Sequence, residues 1–318
     1  MKSVNGKVQK VRAIGLTVSH IDRSQSFYTE ALGFRAVADV TVEGQEYSDL
    51  HNVANAKIRI VTLQLGDERI KLMQYLNSES IPIPIDSRSN DLWFQHFAIV
   101  VRDMTRAYEH LKAFPITPTS SAPQTIPPEN ETAGGVQAFK FKDPDRHDLE
   151  LICFPPDKGQ KKWHQSHDDR LFLGIDHSAI AIANTEQSLH FYQDLLGMEV
   201  ESQGVNWRST QAQLDNLPNA KVQISSLRPA QGGLGVELLD YLVPGTGRPF
   251  PTAWKSNDIA HVQAELVVDN LQQIVDRLQQ DGVQSVSSRL VQTDSDRQAY
   301  LVKDPNGHSI LLTTDEVT

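Results

Sequence analysis

Residues 15–34 read GLTVSHIDRSQSFYTEALGF, and residues 179–198 read AIAIANTEQSLHFYQDLLGM. Each is an apolar run followed by an amphipathic stretch that stops near a glycine, so each predicts a strand, then a helix, then a turn. Their likeness points to an internal duplication, which settles architecture before single elements do. LHNVANAKIRIV (50–61) returns as LDNLPNAKVQIS (214–225), and IKLMQYL (70–76) returns as VELLDYL (236–242). Ser89-Asn90-Asp91 is matched by Ser256-Asn257-Asp258, and Lys142-Asp143-Pro144-Asp145 by Lys303-Asp304-Pro305-Asn306. Landmarks that recur in one order along the chain mark two related halves.

A shorter period runs inside each half. FAIVVRDMTRAYEHLKAF (97–114) and AELVVDNLQQIVDRLQQDG (264–282) repeat the strand-then-helix form. In the second, Leu271, Ile274, Val275 and Leu278 fall at i, i+3, i+4 and i+7, with Asp269 or Asn270 placed to cap the helix and Gly282 to end it. Short alternating segments such as AKIRIVTLQLG and ERIKLMQYL follow, punctuated by turn residues. The expectation is an α+β fold of four βαβββ modules at roughly residues 8–80, 91–156, 171–245 and 258–316. They group into domains at 1–156 and 171–318, joined by a polar linker at 157–170 whose His164 and His167 are expected to face solvent.

Composition narrows the function. At 318 residues, two domains are the default. A net charge of -10, from 30 basic and 40 acidic residues without long runs, provides no basic stripe for nucleic acid. No apolar stretch is long enough for a membrane span, and the N-terminus has no apolar signal segment, so a cytoplasmic protein is expected. The single cysteine, Cys153, cannot form an internal disulfide and follows an apolar run, which reads as a small core residue.

The helix residues Arg23-Ser24, Phe27-Tyr28 and Leu32-Gly33-Phe34, with the closing strand Asp143-Pro144-Asp145-Arg146-His147-Asp148-Leu149-Glu150-Leu151, resemble the vicinal oxygen chelate (VOC) superfamily. This is the glyoxalase, bleomycin-resistance and extradiol-dioxygenase group, and the resemblance covers nearly the whole chain. It implies glyoxalase-like domains with curled mixed sheets. It also implies metal ligands on the first strand of a module (His or Gln) and on its last strand (usually Glu), which are neighbours in the sheet.

Carried over position by position, the resemblance assigns Ala13 and Lys71 to module one, His96 and Glu150 to module two, His177 and Glu237 to module three, and Gln263 and Leu311 to module four. Ala13 and Leu311 cannot bind a metal, and a charged Lys71 would repel one. If modules pair within each half, His96 and Glu150 form half a site, and His177, Glu237 and Gln263 most of another. If the middle modules pair across the linker, as in fused two-domain glyoxalases, then His96, Glu150, His177 and Glu237 form one set. The second pairing is the expectation. With 11 His in 318 residues a given position is His roughly 3% of the time, so two at matched positions, each with its Glu, is a marked coincidence. Two imidazoles and two carboxylates suit one Zn, Ni, Co, Mn or Fe(II) ion.

The implied activity is a glyoxalase-type lyase or isomerase acting on a small substrate with vicinal oxygens, Glu150 or Glu237 serving as general base. A non-haem Fe(II) ring-cleaving dioxygenase and a metal-free ligand-sequestering protein are the alternatives. The outer modules read as a lapsed site, or else as an anion pocket around Lys71 and Arg12. His147 and His308 are expected to be turn residues, and Trp93, Phe139, Phe141 and Trp207 are core or pocket aromatics. Which metal, which substrate and which oligomeric state are left open by the residues.

Overall fold

The structure is a computed structural model that describes residues 6–165, 169–293 and 297–315. His167 lies outside the described residues. Two mixed sheets carry the fold, and each takes one module from each half. In the first sheet, of eight strands, Val8–Thr17 of module one lies antiparallel to Val262–Val268 of module four. In the second, of nine strands, Gln95–Val101 of module two lies antiparallel to Phe172–Ile182 of module three. The modules therefore pair across the linker, an outer pair and a middle pair.

Within a module the opening strand runs parallel to the closing one. Phe172–Ile182 pairs with Gly235–Val243, and Gln95–Val101 with Asp148–Cys153. That register follows from the sequence: both central strands of the middle sheet are buried on both faces and read as apolar runs. One face of each sheet packs against the module helices, forming a core of Tyr28, Phe97, Phe141, Tyr192 and Leu312 among others. Helix Leu271–Gln280 starts at Asn270, whose side chain accepts from Gln273 N, as the sequence suggests. In module three the helix loosens into a π-turn at His190–Leu195. Among the described residues, no helix is long and apolar enough to cross a membrane.

The other face of each sheet is concave and partly covered by a short helix, Gln45–His51 in module one and Arg208–Asp215 in module three. Both run into the repeated Leu-x-Asn-x-x-Asn-Ala-Lys stretch, where Asn52, Asn55, Asn216 and Asn219 all adopt positive φ. Asparagine tolerates that conformation, and its recurrence in both copies ends each helix at the same point.

Two expectations need extending. His147 and His308 stand at the turns before their closing strands as expected, but they are buried there, so turn polarity does not account for them. His147 Nε2 bonds to Ile259 O and His308 Nε2 to Ala181 O, each 2.9 Å, so each ties its turn to a neighbouring module. The linker is also more than a tether: Lys161–His164 forms a 3-10 turn that buries Trp163, although His164 does face solvent.

Candidate metal centre

Across the seam of the middle sheet His96 faces Ala179, and His177 faces Ala98. Glu150 flanks Ala98 on one side, and Glu237 flanks Ala179 on the other. Side chains two residues apart on a strand share a face, so all four functional groups project into the concavity while the alanines leave it open. His96 Nε2 lies 3.1 Å from Glu150 Oε2, His177 Nε2 3.7 Å from Glu150 Oε2, and His177 Nε2 3.4 Å from Glu237 Oε2. Donors each about 2.05 Å from one tetrahedral ion would stand about 3.3 Å apart, so the donor set fits a small divalent cation.

The four groups are unequal. His96, Glu150 and His177 are buried, and their ligand atoms lie within 4.8 Å of one another. Glu237 adjoins only His177, with its side chain 21% exposed and Oε1 accepting a 2.7 Å bond from Ser226 Oγ. Burial would raise the Glu150 carboxyl, but His96, His177 and Lys140 hold it well below the usual carboxylate range. Burial dominates at His96 and lowers it. At His177 burial is overcome by Glu237, Asp176 and Glu150, which raise the imidazole to about 10.

A cavity of about 380 Å³ opens onto these residues. Ile126, Val136, Ile152, Leu214 and Leu239 form much of its wall, and the linker residues Lys158, Gly159 and Gln160 close part of it. On the strand beside Glu150, Lys140 is buried and donates to Asp215 Oδ1 at 2.6 Å. Asp215 Oδ2 accepts from Gln211 at 2.6 Å. None of the four aromatics singled out from the sequence lines this cavity. Phe139 and Phe141 belong to the core behind the sheet, Trp93 packs on Trp254, and Trp207 lies beside a smaller crevice.

The outer sheet has the same backbone and a different filling. Ala13 faces Glu265, and Gly15 faces Gln263. Glu265, buried, pairs with Lys71 and lies 3.4 Å from Arg12. Both cations of the conceivable anion pocket are thus committed to a carboxylate that sequence reasoning passed over. Gln263 Oε1 bonds to His261 Nε2 at 3.0 Å. Burial lowers His51 to about 4 and His261 to about 3, with Lys71 and Lys303 respectively pushing the same way.

Sequence reasoning also missed Asp176, Arg228, Trp163, Gln160 and Ser226. Asp176 had a visible signal, an acid directly before a candidate ligand. The others reach the site from distant strands and the linker, and no spacing rule announces them.

The sequence model of the Glyoxalase/Bleomycin resistance protein/Dioxygenase superfamily matches residues 10–151 and 174–312. Glyoxalase I from Zea mays is a similar solved structure, with TM-score 0.64 at 15% identity, covering 96% of this chain and 92% of that one. A putative dioxygenase from Bacillus subtilis gives TM-score 0.58 at 13% identity, covering 97% and 86%. No curated protein matches the sequence. Identities this low speak to fold alone, but the family match spans most of both halves: the chain belongs to the Glyoxalase/Bleomycin resistance protein/Dioxygenase superfamily.

Proposed function

We propose that the middle module pair is the divalent-metal centre of a glyoxalase-type lyase or isomerase acting on a small substrate with two adjacent oxygens. The observation that carries this reading is the convergence of His96 Nε2, Glu150 Oε2 and His177 Nε2 at one point of the cavity, with Glu237 beside them. His96, Glu150 and His177 would hold the ion, and Glu237 stands where it can complete the set or leave it. When bound, a divalent ion supplies Lewis-acid stabilisation of negative charge on the substrate oxygens.

Glu237 is the candidate general base. Its Oε1 is held by Ser226, its Oε2 is 3.4 Å from His177 Nε2, and it is the most exposed of the four toward the cavity. A carboxylate so placed can take a proton from the carbon beside a carbonyl and return it to the neighbouring carbon. Glu150, set between both imidazoles and deeply buried, positions instead of moving protons. The apolar wall of Ile126, Val136, Ile152 and Leu239 keeps water from the reacting carbon.

The test is Glu237→Gln with α-hydroxycarbonyl and hemithioacetal substrates, assayed without oxygen and with Zn, Ni or Co. The reading predicts turnover by the parent chain under those conditions and loss in the variant on the order of 10²- to 10⁴-fold. A second reading is favoured by one feature: the closest three donors are two His and one carboxylate, the ligand set of Fe(II) oxygenases. Oxygen uptake with a catechol, dependent on Fe(II) and retained by Glu237→Gln, would put the dioxygenase first. Tight binding of an apolar ligand with no turnover of either class would favour sequestration.

A further inference from the structure

The two candidate imidazoles are supported differently. His96 Nδ1 is buried and has no hydrogen-bond partner among the described residues. Gln95, immediately before it, is turned away and donates to Ser178 Oγ at 3.0 Å. His177 Nδ1 lies 3.1 Å from Asp176 Oδ2. Asp176 is itself braced on every side: Arg228 donates to its Oδ2 at 3.0 Å and to its backbone carbonyl at 2.8 Å. Trp163 Nε1 and Gln160 Nε2 donate to Oδ1 at 2.9 and 3.0 Å. The last two residues come from the linker. Trp163 is seated because Gly174 leaves it room, since a Cβ there would meet the indole ring at 2.9 Å.

We propose that Asp176 is a positioning residue for the metal centre, and that the linker, through Trp163 and Gln160, is the brace that holds it. This rests on the metal reading above. An acceptor fixed at Nδ1 selects the tautomer that presents Nε2 to an ion and locks the ring angle. Four donors aimed at Asp176 fix the acceptor in turn. His177 is therefore the anchored ligand and His96 the ligand whose ring is not fixed from behind, an asymmetry that the matched sequence positions conceal. It also gives the connection between the halves a task at the site, which a tether of that length does not require.

The test is competition titration of Co(II) against a chelator, with the cobalt absorption spectrum and thermal unfolding recorded on the same samples. Asp176→Asn keeps shape and loses charge. It should weaken Co(II) binding on the order of 10- to 100-fold, the usual cost of removing such a partner, and alter the cobalt absorption bands. The double variant Gln160→Leu, Trp163→Phe strips the linker donors and leaves Asp176 in place; it should weaken binding by a smaller factor in the same direction. It also keeps the idea testable if Asp176→Asn does not fold. Asp143→Asn, which disrupts a buried pair with His147 away from the site, should lower the unfolding temperature with cobalt affinity and spectrum unchanged. Affinity within twofold of the parent and an unchanged spectrum in both Asp176→Asn and the double variant would overturn the inference. A parent chain that binds no cobalt would overturn the metal reading itself, which the titration shows before any variant is made.

Discussion

At the seam of the middle sheet stand His96, Ala98, His177 and Ala179; at the equivalent places of the outer sheet stand Gln263, Glu265, Ala13 and Gly15. The backbones pair alike, so the difference lies in volume and charge. In the middle pair a small residue faces each imidazole and the concavity stays open. In the outer pair the space left by Ala13 is taken by Glu265, and Lys71, standing where the middle pair has Glu237, neutralises it. Both solutions surround a buried carboxylate with positive charge. The outer one does so with its own side chains; the middle one leaves a point where a cation can enter. Duplication thus leaves one module pair with a candidate donor set while the other turns the same positions to packing.

The sharpest way to break this comparison is to separate the two glutamates of the middle pair. Glu150 lies between both imidazoles, whereas Glu237 contacts only His177. Glu150→Gln should therefore lose bound metal and turnover together. Glu237→Gln should keep most of the metal and lose turnover on the order of 10²- to 10⁴-fold. Metal content measured beside initial rates decides it, and equal metal loss in both variants would show that the two carboxylates are equivalent ligands.

An effect of intermediate size is expected from the outer pair. Lys71→Met leaves the Glu265 carboxylate with Arg12 alone. Removing one partner of a fully buried pair costs about 3–5 kcal/mol; with Arg12 retained and Lys71 a quarter exposed, about 2 kcal/mol is expected here, with metal content unchanged. Denaturant unfolding checks the first part and elemental analysis the second. Loss of metal from Lys71→Met would show that the outer pair is not a separate packing unit.

The smallest effect compares the two closing turns. Burial opposes charge on His147, yet Asp143, 3.0 Å away, raises it to about 9, while burial wins at His308 and lowers it. His147 therefore contributes stability that is complete below the unfolded value of about 6.5 and lost as pH rises through about 9. His308 works in the opposite sense, its contribution present above about 6.5 and lost as pH falls. Unfolding temperatures across pH 5–10 should fall at both ends. His147→Asn should flatten the alkaline side alone, and an unchanged alkaline slope would remove His147 as its source.

How much of this the sequence disclosed depended on distance along the chain. Repeats and periodicity are local, so the four modules and the helix caps could be read directly, while the paired His and Glu positions followed from the family resemblance. The pairing of modules across the linker was reachable because only that arrangement gathers His96, Glu150, His177 and Glu237. Contacts spanning many residues were not legible. Glu265 filling the outer seam, Arg228 reaching Asp176 and Trp163 folding back from the linker all depend on which side chains the finished sheets bring together. His147 and His308 belong with these: their turn positions were legible, but the bonds that bury them against a neighbouring module were not.

The central claim is that one equipped site exists per chain, shared between modules two and three. Elemental analysis after chelation and reloading, on the parent and on His96→Ala and His177→Ala separately, tests it most directly. The account predicts close to one equivalent in the parent and near none in either variant. Two equivalents in the parent, or full metal retained by one variant while the other loses it, would contradict the claim.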